Sequence, residues 1–262
     1  MKRVLIIPDI NNLEESLKLA DKYNLGFEYN DFFNPDVLDD EDRLAELVER
    51  YKSCKLPDGC TLHGAFFDVI PFSKDKKIRE ISMRRIDQSI EVARKLGAVA
   101  VVFHTNFNPF LNTVEYMNCW IEENARIWST ILEDNTDINI YIENMFDKSP
   151  DVLKGLAKAL CKYDNFGVCL DYGHVSISKV SPKEWINSLG EYVKHIHIND
   201  NDLLSDLHLS WGDGKVDRRL FYEAYEEIMP NATVLIENAS IESQVKSLKK
   251  LEEETFINLL SE

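Results

Sequence analysis

The segment VCLDYGHVSIS, residues 168–178, holds the reading on which the fold turns. Val168, Cys169 and Leu170 have the character of a buried strand, and the run ends in Asp171, with His174 three residues beyond. A buried carboxylate without a partner costs several kcal/mol, so this strand end calls for a counter-charge or a metal. The same design recurs along the chain. Apolar runs end in His63 (TLHGAF), His104 (AVVFHTN), Glu143 (IYIENMF), His197 (HIHIND) and Glu237 (VLIENAS).

Working outward, expected strands cover Arg3–Asp9, Gly26–Asn30, Cys60–Phe66, Ala98–Thr105, Ile138–Asn144, Gly167–Asp171, Val193–Asn199 and Ala232–Glu237. Amphipathic stretches lie between them. Leu44, Leu47, Val48 and Tyr51 recur at helical spacing, as do Leu153, Leu156, Ala157 and Leu160, and Phe221, Ala224, Tyr225 and Ile228. Ser149-Pro150-Asp151 reads as a cap residue followed by proline at the first helical position, and LGA (96–98) as a glycine C-cap. Alternating strands and helices imply a parallel sheet, and eight strands suffice to close a (β/α)8 TIM barrel of the α/β class. An open doubly wound sheet competes, but no G-x-G-x-x-G follows the first strand. One domain spanning 1–262 is expected, with 106–120 and 200–216 as its longest irregular segments.

The composition fits a well-buried core: 44% of the 262 residues are apolar and 29% charged. No apolar run approaches the ~18 residues of a membrane span. MKRVLIIPD (1–9) stops its apolar run at Pro8, too early for a signal peptide, so Val4–Ile7 is a first strand. Five scattered cysteines, Cys54, Cys60, Cys119, Cys161 and Cys169, make no C-x-x-C and suit a reducing cytoplasm. The net charge of −16 opposes a nucleic-acid partner, and KDKK (74–77) and RR (84–85) are short enough to be solvated faces.

In a barrel, polar groups at the C-terminal ends of strands meet at one mouth. Alternation turns Glu143 and His197 inward, with Ile142 and Ile196 outward; His195 falls one layer deeper, in a hydrogen-bonded core role. Five of the six histidines, His63, His104, His174, His197 and His208, fall at strand ends or in the loops beyond. Joined by Asp171, Glu143 and Glu237, they repel one another unless a cation neutralises them, and mixed imidazole and carboxylate donors suit Zn²⁺, Mn²⁺ or Fe²⁺ better than Ca²⁺. Asp206-x-His208 adds two more donors on one extended segment. Gly212 and Gly214 follow, as turn glycines or as a weak phosphate cradle.

The D-x-x-H of the sixth strand, the H-x-N-D of the seventh and the D-x-H-L-x-x-G-x-G loop together resemble the xylose isomerase-like TIM barrels. That superfamily includes sugar and sugar-phosphate isomerases and epimerases, and endonuclease IV (AP endonuclease family 2). The resemblance runs from His63 to Glu237. An endonuclease IV pattern implies three metals: one on His63, His104 and bridging Glu143; a second on Glu143, Asp171, His197 and Glu237; a third on His174, Asp206 and His208. The epimerase pattern implies a single Mn²⁺, Mg²⁺ or similar ion on Glu143, Asp171, His197 and Glu237, with His174 touching substrate. The chain departs from both, lacking recognisable basic DNA-penetrating loops and carrying Asp206 and His208 where an epimerase has a substrate-binding arginine.

The resemblance therefore implies a divalent-metal enzyme holding one to three ions of Zn, Mn or Mg. The first expectation is isomerisation or epimerisation of a small sugar or sugar phosphate through an enediolate, with Glu143 and Glu237 as acid and base and His174 as a third catalytic residue. The alternative is an endonuclease IV-like multi-zinc phosphodiesterase, acting on an abasic site or a small phosphoester. Metal binding without catalysis is a third class. Phe66, Phe107, Trp120 and Trp211 stand near the expected mouth, as packing for a sugar's apolar face or as simple core. The resemblance also leaves room for a homo-oligomer.

Overall fold

The computed structural model describes residues 3–256; Met1, Lys2 and 257–262 of the expected domain lie outside the described residues. Eight strands close a barrel: β1 (Val4–Ile6), β2 (Gly26–Tyr29), β3 (Thr61–His63), β4 (Ala100–His104), β5 (Asn139–Glu143), β6 (Phe166–Asp171), β7 (Val193–Ile198) and β8 (Thr233–Ile236). Every neighbouring pair is parallel, and β1 pairs β8 to close the ring. Each expected strand exists, shorter than expected except β6, which begins one residue earlier, at Phe166. Ladder hydrogen bonding stops where the chain peels off into a loop, while apolar residues continue beneath the helices.

Alternation sorts the side chains as the sequence requires. Val101, Phe103, Ile140, Ile142, Leu170 and Ile196 face outward into the main core against the helices. Ala100, Val102, Tyr141 and Cys169 form a small cluster inside the barrel. Burying one such large side chain contributes ~1.5–3 kcal/mol, so a one-residue register slip, which would turn the apolar set inward, is strongly opposed. The three helical patterns lie within Glu41–Lys52, Asp151–Leu160 and Arg218–Ile228. Gly97 takes the left-handed C-cap at φ 69° and receives the end of the helix Lys76–Leu96.

Two local expectations are corrected. The irregular segment expected over 106–120 ends at Thr113, whose hydroxyl accepts from Tyr116 N and caps the helix Val114–Asp134. Residues 64–75 form the longer irregular stretch instead. Pro150 sits at the N-cap rather than the first helical position, with φ −70° and ψ −10°, and Ser149 donates to Asp151 Oδ2 instead of capping.

The 200–216 loop is organised by Asp200, fully buried just past β7. Its carboxylate accepts from the backbone N–H of Asn201, Gly212 and Val216, at 2.9, 3.0 and 3.0 Å. Its backbone bridges to Leu209. The two loop glycines do different jobs. Gly212 adopts φ 98°, whereas a Cβ at Gly214 would overlap the Asn201 carbonyl. Backbone conformation accounts for Gly212 and close packing against Asn201 for Gly214.

Candidate metal centre

Six of the nine expected donors lie at or one residue past the C-terminal end of a strand, with His174 on the short helix after β6 and Asp206 and His208 on the loop after β7. His63, His104, Glu143 and Asp171 are the last residues of β3, β4, β5 and β6; His197 is next to last in β7, and Glu237 follows β8. The spacing of Asp171 and His174 has a local cause. Asp171 caps the short helix Tyr172–Ile177, its Oδ1 accepting from His174 N at 2.6 Å, which swings the imidazole over the barrel mouth.

Glu143 is the hub. Its Oε2 lies 3.6 Å from His63 Nε2, 3.5 Å from His104 Nε2 and 3.4 Å from His197 Nδ1, while its Oε1 lies 3.7 Å from His174 Nδ1. Asp206 joins the outer histidines, with Oδ2 3.3 Å from His174 Nε2 and Oδ1 3.1 Å from His208 Nε2. Glu237 Oε2 stands between His197 Nδ1 at 3.7 Å and His208 Nδ1 at 3.6 Å. Three donor groups result: His63, His104 and Glu143; Glu143, Asp171 and His197; and His174, Asp206 and His208, each with its ligand atoms within 4.8 Å of one another. All nine expected residues meet at one mouth.

Further polar side chains hold the donors. Asn144 clasps the Asp171 backbone through both its amide groups, each at 3.0 Å, and Asn199 donates to Asp171 Oδ2 and Glu237 Oε2. Glu28, on β2, reaches across the barrel interior to 3.1 Å from both His195 Nε2 and His197 Nε2, and accepts from Thr61. His195 has Thr233 on its other nitrogen at 2.6 Å, as a hydrogen-bonded core residue should. A deeper trio of Cys169, His195 and His197 is also compact, but both His195 nitrogens already have partners.

The electrostatics are those of concentrated, mutually dependent charge. Burial pushes Glu143 up, but His197 and His104 outweigh it and hold the carboxyl well below the usual range. Glu237 is pushed up to about 8, by burial and by the Asp171 and Glu143 carboxylates against the pull of His197 and His208. Burial lowers His208, yet Asp206 and Glu237 raise it to about 10. His174 rises well above the ordinary imidazole value because Asp171, Asp206 and Glu143 overcome burial, whereas burial wins at His104 and lowers it.

These donors fit a divalent cation. Glu143 Oε2 and His197 Nδ1 are buried and make no hydrogen bond, although they are 3.4 Å apart. Such orphaned lone pairs are costly unless a cation takes them up. Imidazole and carboxylate donors in this mixture suit Zn²⁺, Mn²⁺ or Fe²⁺.

Of the aromatic residues expected near the mouth, Phe66 stands beside the donors, 5.2 Å from the His63 ring and 4.8 Å from that of His104. Trp120 and Trp211 are core residues, and Phe107 packs against Trp120. Sequence reasoning missed Phe146, 5.3 Å from His174, along with Glu28, Asn144 and Asn199. A signal existed for Glu28: in GFEY, turning Phe27 and Tyr29 outward puts the carboxylate inside the barrel.

Known proteins resemble this chain in sequence and fold. The Uncharacterized protein MJ1311 of Methanocaldococcus jannaschii is 29% identical over 80% of this chain and 73% of its own. A Probable endonuclease 4 of Ureaplasma parvum is 24% identical over 69% of this chain and 65% of its own. A solved D-tagatose 3-epimerase-like protein is 25% identical, covers 98% of each chain and superposes with a TM-score of 0.75. With the profile named xylose isomerase-like TIM barrel matching residues 19–251, the chain belongs to that family.

Proposed function

We propose that the chain is a multi-metal phosphoesterase acting on a small phosphoester. The observation that supports this most is the position of Glu143 between two donor groups. A carboxylate shared by two cations is a much weakened base, ill suited to take a proton from carbon as an enediolate mechanism would ask of it. His63 and His104 would hold one ion with Glu143; Asp171, His197 and Glu237 would hold a second with it; His174, Asp206 and His208 would hold a third. When bound, such ions supply an activated water and neutralise charge on the attacking and leaving oxygens.

The protein's own groups do the rest. Asn199 holds the Asp171 and Glu237 carboxylates in register, and Asn144 fixes the backbone of Asp171. Around this charge the rim is apolar rather than basic, with Phe67, Phe110, Phe146 and Leu204 all exposed on loops beyond β3, β4, β5 and β7. Lys148, on the loop after β5, is engaged with the Pro109 carbonyl and the Phe110 ring. That rim and the net charge of −16 favour a small substrate over a nucleic-acid duplex.

A second reading is epimerisation or isomerisation of a small sugar or sugar phosphate on one ion, with Glu143 and Glu237 as acid and base and His174 on the substrate. The 25% identity to the D-tagatose 3-epimerase-like structure favours it. The test is direct. Protein stripped by chelator and reloaded with Zn²⁺, Mn²⁺ or Mg²⁺ is assayed on p-nitrophenyl phosphate mono- and diesters, on abasic-site DNA and on a panel of ketoses and aldoses. Metal-restored hydrolysis of a small ester is expected. Metal-restored sugar turnover without hydrolysis would replace the first reading with the second, and preference for DNA would remove the size restriction.

A further inference from the structure

We infer that Glu28 is the positioning residue that decides which nitrogen of His197 is offered to a metal; this rests on the metal reading above. Glu28 is fully buried on β2, yet its partners come from β3 and β7: Thr61 Oγ1 donates to its Oε2 at 2.6 Å, His195 Nε2 lies 3.1 Å from Oε2, and His197 Nε2 lies 3.1 Å from Oε1. Neither lysine nor arginine is among these partners.

The chemistry follows from donor counting. An ionised carboxylate only accepts, so the three groups facing it must each present a hydrogen. Thr61 presents its hydroxyl and His195 its Nε2–H; His197 Nε2 and Glu28 Oε1 lie 3.1 Å apart with neither making a hydrogen bond, and a lone pair on that nitrogen would face the carboxylate's own, so the proton belongs on Nε2. For His195 this leaves Nδ1 to accept from the Thr233 hydroxyl, 2.6 Å away. For His197, Nδ1 then faces Glu143 Oε2 and Glu237 Oε2, 3.4 and 3.7 Å away, which also only accept, so Nδ1 carries a proton in the metal-free chain and offers its lone pair once a cation takes that proton's place. With a cation bound, the remaining proton sits away from the mouth and the lone pair faces it. Carboxylates behind ligating imidazoles fix ring orientation and raise ligand basicity in this way, and their loss typically weakens metal binding about 10- to 100-fold.

Glutamine is the informative replacement, because Glu28→Gln keeps the shape and loses the charge. Its amide oxygen can serve His197 only if the amide NH2 faces Thr61 and His195. Thr61 can reverse its hydroxyl and His195 can exchange tautomers with Thr233, so the fold has a route to accommodate it. His197 then keeps an acceptor but loses a negative neighbour, and Glu28→Ala removes both.

Zinc affinity is measured by competition with a chromophoric chelator, alongside metal stoichiometry and melting temperature. Glu28→Gln is expected to weaken one ion per chain about tenfold and Glu28→Ala about 100-fold, with the His174, Asp206 and His208 ion unaffected. Long-range proton–nitrogen spectra of the zinc-loaded native chain, labelled at histidine, read the tautomer without any variant, and His197 is expected as Nε2–H. Zinc affinity unchanged in Glu28→Gln, or His197 found as Nδ1–H, overturns the inference even if the variants melt early. A native chain that takes up no cation overturns the metal reading, and this inference falls with it.

Discussion

At the scale of single residues, Glu143 carries more of the account than any other side chain. Three imidazole nitrogens converge on one of its oxygens within 3.6 Å, so replacing it touches two donor groups at once. Glu143→Gln is expected to lose two of three ions per chain and at least 100-fold in turnover, with the His174, Asp206 and His208 ion retained, as counted by elemental analysis. Protons and metals compete here. Glu237 titrates near 8 in the folded chain against an ordinary 4.5, and His208 near 10 against 6.5. Both values are raised, so the folded metal-free chain binds more protons than the unfolded one across those windows, and its stability falls as pH rises through them. Asp206 and Glu143, held low by neighbouring histidines, act in the opposite sense, and their contribution is lost only in acid. The melting temperature in chelator should therefore drop most steeply where the two windows overlap, between pH 6.5 and about 8, while the gain on adding zinc grows, because metal displaces those protons. A zinc gain that shrinks with rising pH would contradict this.

At the scale of elements, the strand ends and the loop after β7 divide the labour. Strands place five donors by register, with Glu237 one residue beyond β8; the loop brings Asp206 and His208 by its own internal bonding. Asp200 anchors that loop through three backbone N–H groups. In Asp200→Asn, the amide NH2 must face at least one N–H, and a buried donor left unsatisfied costs about 1–3 kcal/mol. That variant should bind one ion fewer per chain and keep the ions of the strand-end donors; loss of all ions would show that the loop and the barrel mouth are one cooperative unit. The short helix after β6 has a similar sensitivity. A Cβ at Gly173 would overlap Asn199, which links Asp171 to Glu237.

At the scale of the molecule, the barrel and its mouth were legible because they follow from periodicity. Period-two strands with a polar residue at each C-terminal end fix strand number, inward face and mouth together. Strand termini were less legible, since apolar runs such as Cys60–Phe66 outlast the ladder, where only Thr61–His63 pairs. Glu28 was hidden for a different reason: its partners on β3 and β7 become neighbours only when the barrel closes, 167 residues separating it from His195. Asn144 and Asn199 escaped notice because amides that support a site carry no charge pattern of their own.

The central claim is that nine imidazoles and carboxylates are gathered to hold divalent cations. An anomalous difference map from a zinc-soaked crystal tests it most directly. The account predicts three peaks, one within each donor group, with Glu143 shared by two of them. A mouth without peaks at full zinc occupancy elsewhere in the crystal, or zinc held by other residues, would contradict it.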